Sequence, residues 1–83
     1  MIYLVVPDKS EFDRFASGQV IEAKVMLGWF EREDYAVGMQ VDVWYQARDP
    51  DNPCFVGEIV EDLGIVEFVV EDNNIHCFRV RKV

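Results

Sequence analysis

Residues that usually carry chemistry are scarce in this sequence: it has one histidine, two cysteines and two serines. Cys54 and Cys77 are too few for a disulfide framework, and neither sits in a Cys-x-x-Cys pair of the redox or zinc kind. Both are read as free thiols. His76 stands beside Cys77, but a zinc site needs two further soft ligands, so the histidine is read as a packed or solvated side chain and no metal or cofactor is expected. Ser10 and Ser17 flank a helical pattern as ordinary polar residues. No Gly-rich phosphate loop, Gly-x-Ser-x-Gly or His-Glu-x-x-His occurs, and the expectation is a protein that is not an enzyme. Long apolar runs are missing too. The opening run Ile2–Val6 has no basic flank and is ended by Pro7 and Asp8, too short for a signal peptide or a membrane span. A cytoplasmic protein without membrane contact is expected.

Basic residues are missing where acidic ones gather. The formal net charge is −8. Between Asp49 and Asp72 stand eight carboxylates (Asp49, Asp51, Glu58, Glu61, Asp62, Glu67, Glu71, Asp72) and no Lys or Arg, while Arg79, Arg81 and Lys82 close the chain. Nucleic-acid affinity comes mainly from basic side chains displacing condensed counterions, so direct nucleic-acid binding is disfavoured.

What is present is apolar bulk and a clear local pattern. The 83 residues, 51% of them hydrophobic, suit one domain over 1–83 that buries roughly 60–65% of its unfolded surface. Ile2–Val6 reads as a buried first strand. Asp8 as N-cap, Glu11 as its capping-box partner, Phe12, Phe15 and Ala16 at helical spacing and Gly18 as the terminator predict a helix over 9–17. Residues 19–27 alternate, with Ile21, Ala23, Val25 and Leu27 on one face and Glu22 and Lys24 on the other. Residues 28–39 have no period and read as a loop or single turn. Residues 40–46 alternate again, with Val41, Val43 and Tyr45 inward and Asp42 and Trp44 outward, and 48–53 is a loop.

Three runs remain: 55–60, 65–71 and 75–81. Glu61-Asp62-Leu63-Gly64 and Asp72-Asn73-Asn74 between them suit hairpins. The register that keeps one face apolar sets Ile59 against Val66, Phe68 against Phe78, Val66 against Val80, Glu67 against Arg79, and Cys77 against Val69. It buries Phe55, Ile59, Val66, Phe68, Val70, Phe78 and Val80, crowds Glu58, Glu67 and Glu71 on the outer face, and leaves Cys54 too far from Cys77 for a disulfide. The expected fold is α+β: a small curled, mostly antiparallel sheet or open barrel of about six strands, with one helix between the first and second strands.

The run Phe12-x-x-Phe15-x-Ser17-Gly18, then Glu22-x-Lys24, then Tyr35-x-Val37-Gly38-Met39-x-Val41-x-Val43, resembles the first half of ASCH domains, small barrels of the PUA-like group. In that family a helix ending in Ser-Gly leads into a Gly-x-Lys-x-x-Glu-x-Arg strand, and a Val-Gly-Asp turn opens the next. The resemblance implies binding of RNA or a modified nucleoside. Some small members hydrolyse acylated cytidine with a Lys, a Thr and a Glu. Glu22 and Lys24 are the residues with counterparts; Gln19, Val20 and Ile21 stand where the catalytic Lys and Thr belong.

Two readings follow. In the first, the chain is an acidic, non-enzymatic protein-binding module, an inhibitor that mimics nucleic acid and covers a basic, nucleic-acid-binding surface of a partner, as phage anti-defence proteins do. Its contacts are Asp42, Trp44, Asp49, Asp51, Glu58, Glu67, Glu71 and Asp72. In the second, an ASCH-like RNA or nucleoside binder uses Glu22, Lys24, Arg79 and Arg81, with turnover through Glu22 as a lesser variant. The bland reading of Glu22 and Lys24 is a cross-strand or same-face ion pair worth about 0–1 kcal/mol.

Overall fold

The computed structural model describes residues 2–27, 35–68 and 73–83, with the side chains of 27, 67, 68 and 73 left aside. Its elements run β1 (Tyr3–Val6), α1 (Lys9–Ala16), β2 (Ile21–Leu27), β3 (Gln40–Tyr45), β4 (Cys54–Phe68) and β5 (Asn73–Lys82). The five strands close into a barrel in the order β1-β2-β5-β4-β3. Closure removes open sheet edges from the barrel wall. β1 runs parallel to β3, pairing Tyr3 with Asp42 and Val5 with Trp44, and every other neighbour is antiparallel.

Helix α1 forms where its caps dictate. The Asp8 carboxylate accepts the Glu11 amide at 3.2 Å, one half of a capping box; the Glu11 carboxylate turns instead to Arg14 one turn on. Ser17 closes the last turn, and Gly18 follows at φ +100°. The helix buries Phe12 and Phe15 among the inward side chains Leu4, Val6, Ile21, Ala23, Val25, Val41, Val43, Ile59, Phe78 and Val80. Each large side chain in that group contributes about 1.5–3 kcal/mol through burial. Gly57 is the gap that admits Phe15: a Cβ there would stand 3.1 Å from two ring carbons.

The chain departs from expectation in its C-terminal third. Glu61-Asp62-Leu63-Gly64 is not a hairpin turn but part of the 15-residue β4, so the described residues form five strands where about six are expected. The register between β4 and β5 slips between Ile59 and Glu61 and again between Asp62 and Gly64. These are β-bulges, which add a residue on one strand and bend it. Gly64 takes φ +92° and its amide donates to Asp62 Oδ1 at 2.8 Å, so the turn chemistry legible in Asp-Leu-Gly is spent on a kink. Bent twice, one strand pairs with β3 over Cys54–Glu58 and with β5 over Gly57–Phe68.

The later register changes with it. Phe68 faces Asn73, Glu67 faces Asn74 and Val66 faces Ile75, against the expected partners Phe78, Arg79 and Val80. Val66 is 56% exposed, not part of the core, whereas Ile59, Phe78 and Val80 are fully buried as expected. Cys77 faces Gly64 and Lys24, not Val69, and both cysteines are free. Residues 28–34, Val69, Val70, Glu71 and Asp72 lie outside the described residues. No described helix is long and apolar enough to cross a membrane.

Candidate ligand cleft

Glu22 and Lys24 are alternate residues of β2, so the pleat sends both outward while Ile21, Ala23 and Val25 enter the core. β1 ends beside them, and its continuation Pro7-Asp8 turns the chain into α1. The result is a cleft of about 220 Å³ lined by Val6, Pro7, Asp8, Glu11, Glu22 and Lys24. Residues that cap the helix thus become one wall and the outer face of β2 the other. The capping pattern of Asp8 and Glu11 is plain in the sequence; that the cap faces Glu22 is a tertiary fact.

Among the described residues, Glu22 and Lys24 do not pair with each other, and Lys24 has no carboxylate partner. The bland ion pair is therefore not the state of these residues. Asp8 is held below the usual carboxylate range, first by the Ser10 hydroxyl at 2.6 Å and then by the Glu11 amide. On the adjacent strand β5, Cys77 stands opposite Lys24, and Arg79 stands opposite Glu22. Burial, followed by the nearby Glu22 carboxylate, pushes the Cys77 thiol up.

The remaining residues of interest separate into groups. Arg79 Nε meets Glu61 Oε1 at 3.1 Å, and Arg81 lies 3.6 Å from Glu58. The terminal arginines thus neutralise two carboxylates of the acidic run, in place of the expected crowding of Glu58 with its own sign. Glu67 is placed only by its backbone, opposite Asn74. Asp42 and Trp44 lie half-buried on the outer face of β3, with Arg48 stacked 4.7 Å above the neighbouring Tyr3 ring. Asp49 and Asp51 share an exposed loop in which Asp49 Oδ1 accepts the Asp51 amide at 2.9 Å. Asp62 and His76 form a separate pair, Oδ1 to Nε2 at 2.8 Å, with the imidazole against Phe78 at 4.0 Å between ring centroids.

No protein-family model, curated protein or solved structure matches the chain. The chemistry of the cleft has to be read from its residues. Among the described residues no three His, Cys, Asp or Glu side chains gather closely enough to hold a metal. An ammonium that only donates and a carboxylate that only accepts stand side by side, which complements a ligand edge offering a carbonyl next to an N–H. Missed from sequence was Cys77 as a neighbour of Glu22: the signal, a residue of outward parity on β5, is interpretable only once the β2–β5 register is known.

Proposed function

We propose that this chain is a small non-enzymatic binding module that takes the base edge of an unphosphorylated, modified nucleoside into the cleft of Asp8, Glu11, Glu22 and Lys24. The observation that carries it is the shared cleft of Glu22 and Lys24, charged, outward and not spent on each other. The ASCH-like resemblance points to the same two residues. Support comes also from the elements around them: Ser17 and Gly18 end α1 ahead of β2, and Val37-Gly38 forms the turn ahead of β3, the places where that family carries its Ser-Gly and Val-Gly motifs.

Size and charge narrow the ligand. Pockets for whole drug-sized molecules run to about 300–1,000 Å³, so a cleft of about 220 Å³ suits one ring with its substituents. Three carboxylates around one ammonium repel phosphate, which favours nucleosides over nucleotides. Calorimetric titration with cytidine, an acylated cytidine and cytidine monophosphate tests this. Nucleoside binding should weaken about 10-fold or more in Glu22→Gln and in Lys24→Met, because a hydrogen bond to a charged group contributes about 1.5–3 kcal/mol. The monophosphate should bind more weakly than either nucleoside, and no acylated cytidine should be consumed. Indifference of binding to both substitutions would sink the proposal.

The acidic-surface reading keeps Asp42, Trp44, Asp49 and Asp51 as contacts. It loses force at Glu58 and Glu61, whose charges are met by Arg81 and Arg79. Recovery of a basic nucleic-acid-binding protein that is released by Asp49→Lys with Asp51→Lys, and not by Lys24→Met, would favour it over the cleft.

A further inference from the structure

We propose that the outer face of β1, β3 and β4 is a self-association surface, covered in solution by a second copy of this chain related by a two-fold axis. The inference does not depend on the cleft reading, which concerns β2 and the start of α1. Alternation puts Tyr3 and Val5 on the outside of β1, Asp42 and Trp44 on the outside of β3, and Cys54 and Val56 on the outside of β4, because Leu4, Val6, Val41, Val43, Gly57 and Ile59 are buried. The register joins them into one patch. Tyr3 pairs with Asp42 and Asp42 with Val56, while Val5 pairs with Trp44 and Trp44 with Cys54. Val56 is 37% exposed; Val83, whose amide donates to the Val56 carbonyl at 3.0 Å, is 66% exposed. Of the six strand residues only Asp42 is charged, whereas the outer positions of β2 and β5 include Glu22, Lys24, Arg79 and Arg81. An apolar, aromatic centre beside an arginine is the composition of a protein interface.

The charges on this face select the occupant. Arg48 lies over the Tyr3 ring, its guanidinium carbon 4.7 Å from the centroid, and Tyr3 is the cross-strand neighbour of Asp42. Among the described residues neither Arg48 nor Asp42 forms an ion pair, with the other or with any third group. The patch thus carries one cation and one anion, both unspent. A basic partner would satisfy Asp42 and set Arg48 against its own sign, and an acidic partner would do the reverse. A second copy answers both, because across a two-fold axis every contact occurs twice and Arg48 of each chain meets Asp42 of the other. The Trp44 indole N–H is covered and has no acceptor among the described residues, an independent sign that the packing of this face is incomplete within one chain.

The face is smaller than the roughly 20–30 residues a side of a standard interface, so the dimer should be weak, with a dissociation constant on the order of 10–100 μM. Sedimentation equilibrium over about 1 μM to 1 mM tests it, in about 0.15 M salt, where a Debye length of about 8 Å screens the repulsion between two acidic chains. Arg48→Asp and Asp42→Arg should each weaken association about 10-fold or more, since each sets like charges together twice in the dimer. The double swap of Arg48→Asp with Asp42→Arg should return it to within about threefold of the wild type. Val56→Glu should weaken it as much as either reversal, and neither charge change should rescue it. On dilution of the wild type, amide resonances of β1, β3 and residues 54–56 should shift while those of Arg79 and Arg81 stay in place. If Asp42→Arg impairs folding, as circular dichroism would show, Arg48→Asp on its exposed loop and the dilution shifts decide the matter. A chain that stays monomeric up to about 1 mM overturns the inference. So does a dimer indifferent to Arg48→Asp and Val56→Glu, or one that both reversals weaken and the swap of two folded variants does not restore.

Discussion

Replacing Gly57 by alanine puts the packing of α1 on the barrel to a direct test. Gly57 lies in β4 opposite Val41 and Lys82. A Cβ at this position would sit 3.0 Å from Val43 Cγ2 and 3.1 Å from Cε1 and Cζ of Phe15. Carbon pairs settle at about 3.5–4.0 Å, so each contact is short by roughly half an ångström. Phe15 and Val43 are both fully buried, and neither ring nor methyl can withdraw unless the helix or the strand moves. Overpacking of this kind costs about 1–3 kcal/mol, while alanine returns about 0.4–1 kcal/mol by restricting the unfolded chain. The net loss expected is about 1–2 kcal/mol, and at about 4–8 °C per kcal/mol for a domain of this size the melting midpoint should fall by about 5–15 °C. Thermal unfolding followed by circular dichroism reads it. Phe15→Leu removes both ring carbons in question, so in that background Gly57→Ala should cost at least about 1 kcal/mol less. A midpoint that rises in Gly57→Ala, or a cost unchanged by Phe15→Leu, would refute this packing.

Other consequences are simpler to state. Asp62 is held below its usual range, chiefly by the His76 hydrogen bond and then by the Gly64 amide; its stabilisation is present above the unfolded carboxylate value of about 4 and lost as pH falls through the lower folded value. The urea midpoint of the wild type should therefore drop more steeply on acidification than that of Asp62→Asn, by a small margin because the carboxylate is exposed; parallel curves would contradict the pairing. The Cys54 thiol is raised by burial and then by Asp42, and Cys77 by burial and then by Glu22. Iodoacetamide should thus label both slowly at pH 7 and faster above about pH 9, with Cys54 first since Cys77 is the more buried; rapid labelling of Cys77 at pH 7, read by mass spectrometry, would speak against this. In the cleft, Glu22→Gln and Lys24→Met should each leave the melting midpoint within a few degrees of the wild type while weakening ligand, because both side chains lie on the outer face.

Where a segment of this chain carries its own instructions, sequence and structure agree. Asp8, Phe12, Phe15 and Gly18 specify a helix through contacts within four residues of each other, and α1 runs Lys9–Ala16 against the expected 9–17. The two-residue alternation of 19–27 and 40–46 sets which side chains of β2 and β3 enter the core, and Ile21, Ala23, Val25, Val41 and Val43 are all buried. The candidate site was half legible for the same reason: Glu22 and Lys24 must share a face whatever the fold does. Asp8 and Glu11 were visible only as caps, because nothing local says what a helix start will be laid against.

By itself, then, the sequence determined one helix, the inward faces of two strands, and the outward placement of an acid and a base on the strand after the helix. Only the tertiary structure decided that residues 59–64 carry two bulges inside one long strand, that Arg79 and Arg81 meet Glu61 and Glu58, and that Cys77 stands opposite Lys24. The physical reason is that Asp-Leu-Gly can serve a hairpin or a kink equally well, and the choice falls to whichever backbone partner closes the barrel. Those partners are distant in the chain, and a shift of one or two residues in their register exchanges every cross-strand neighbour at once.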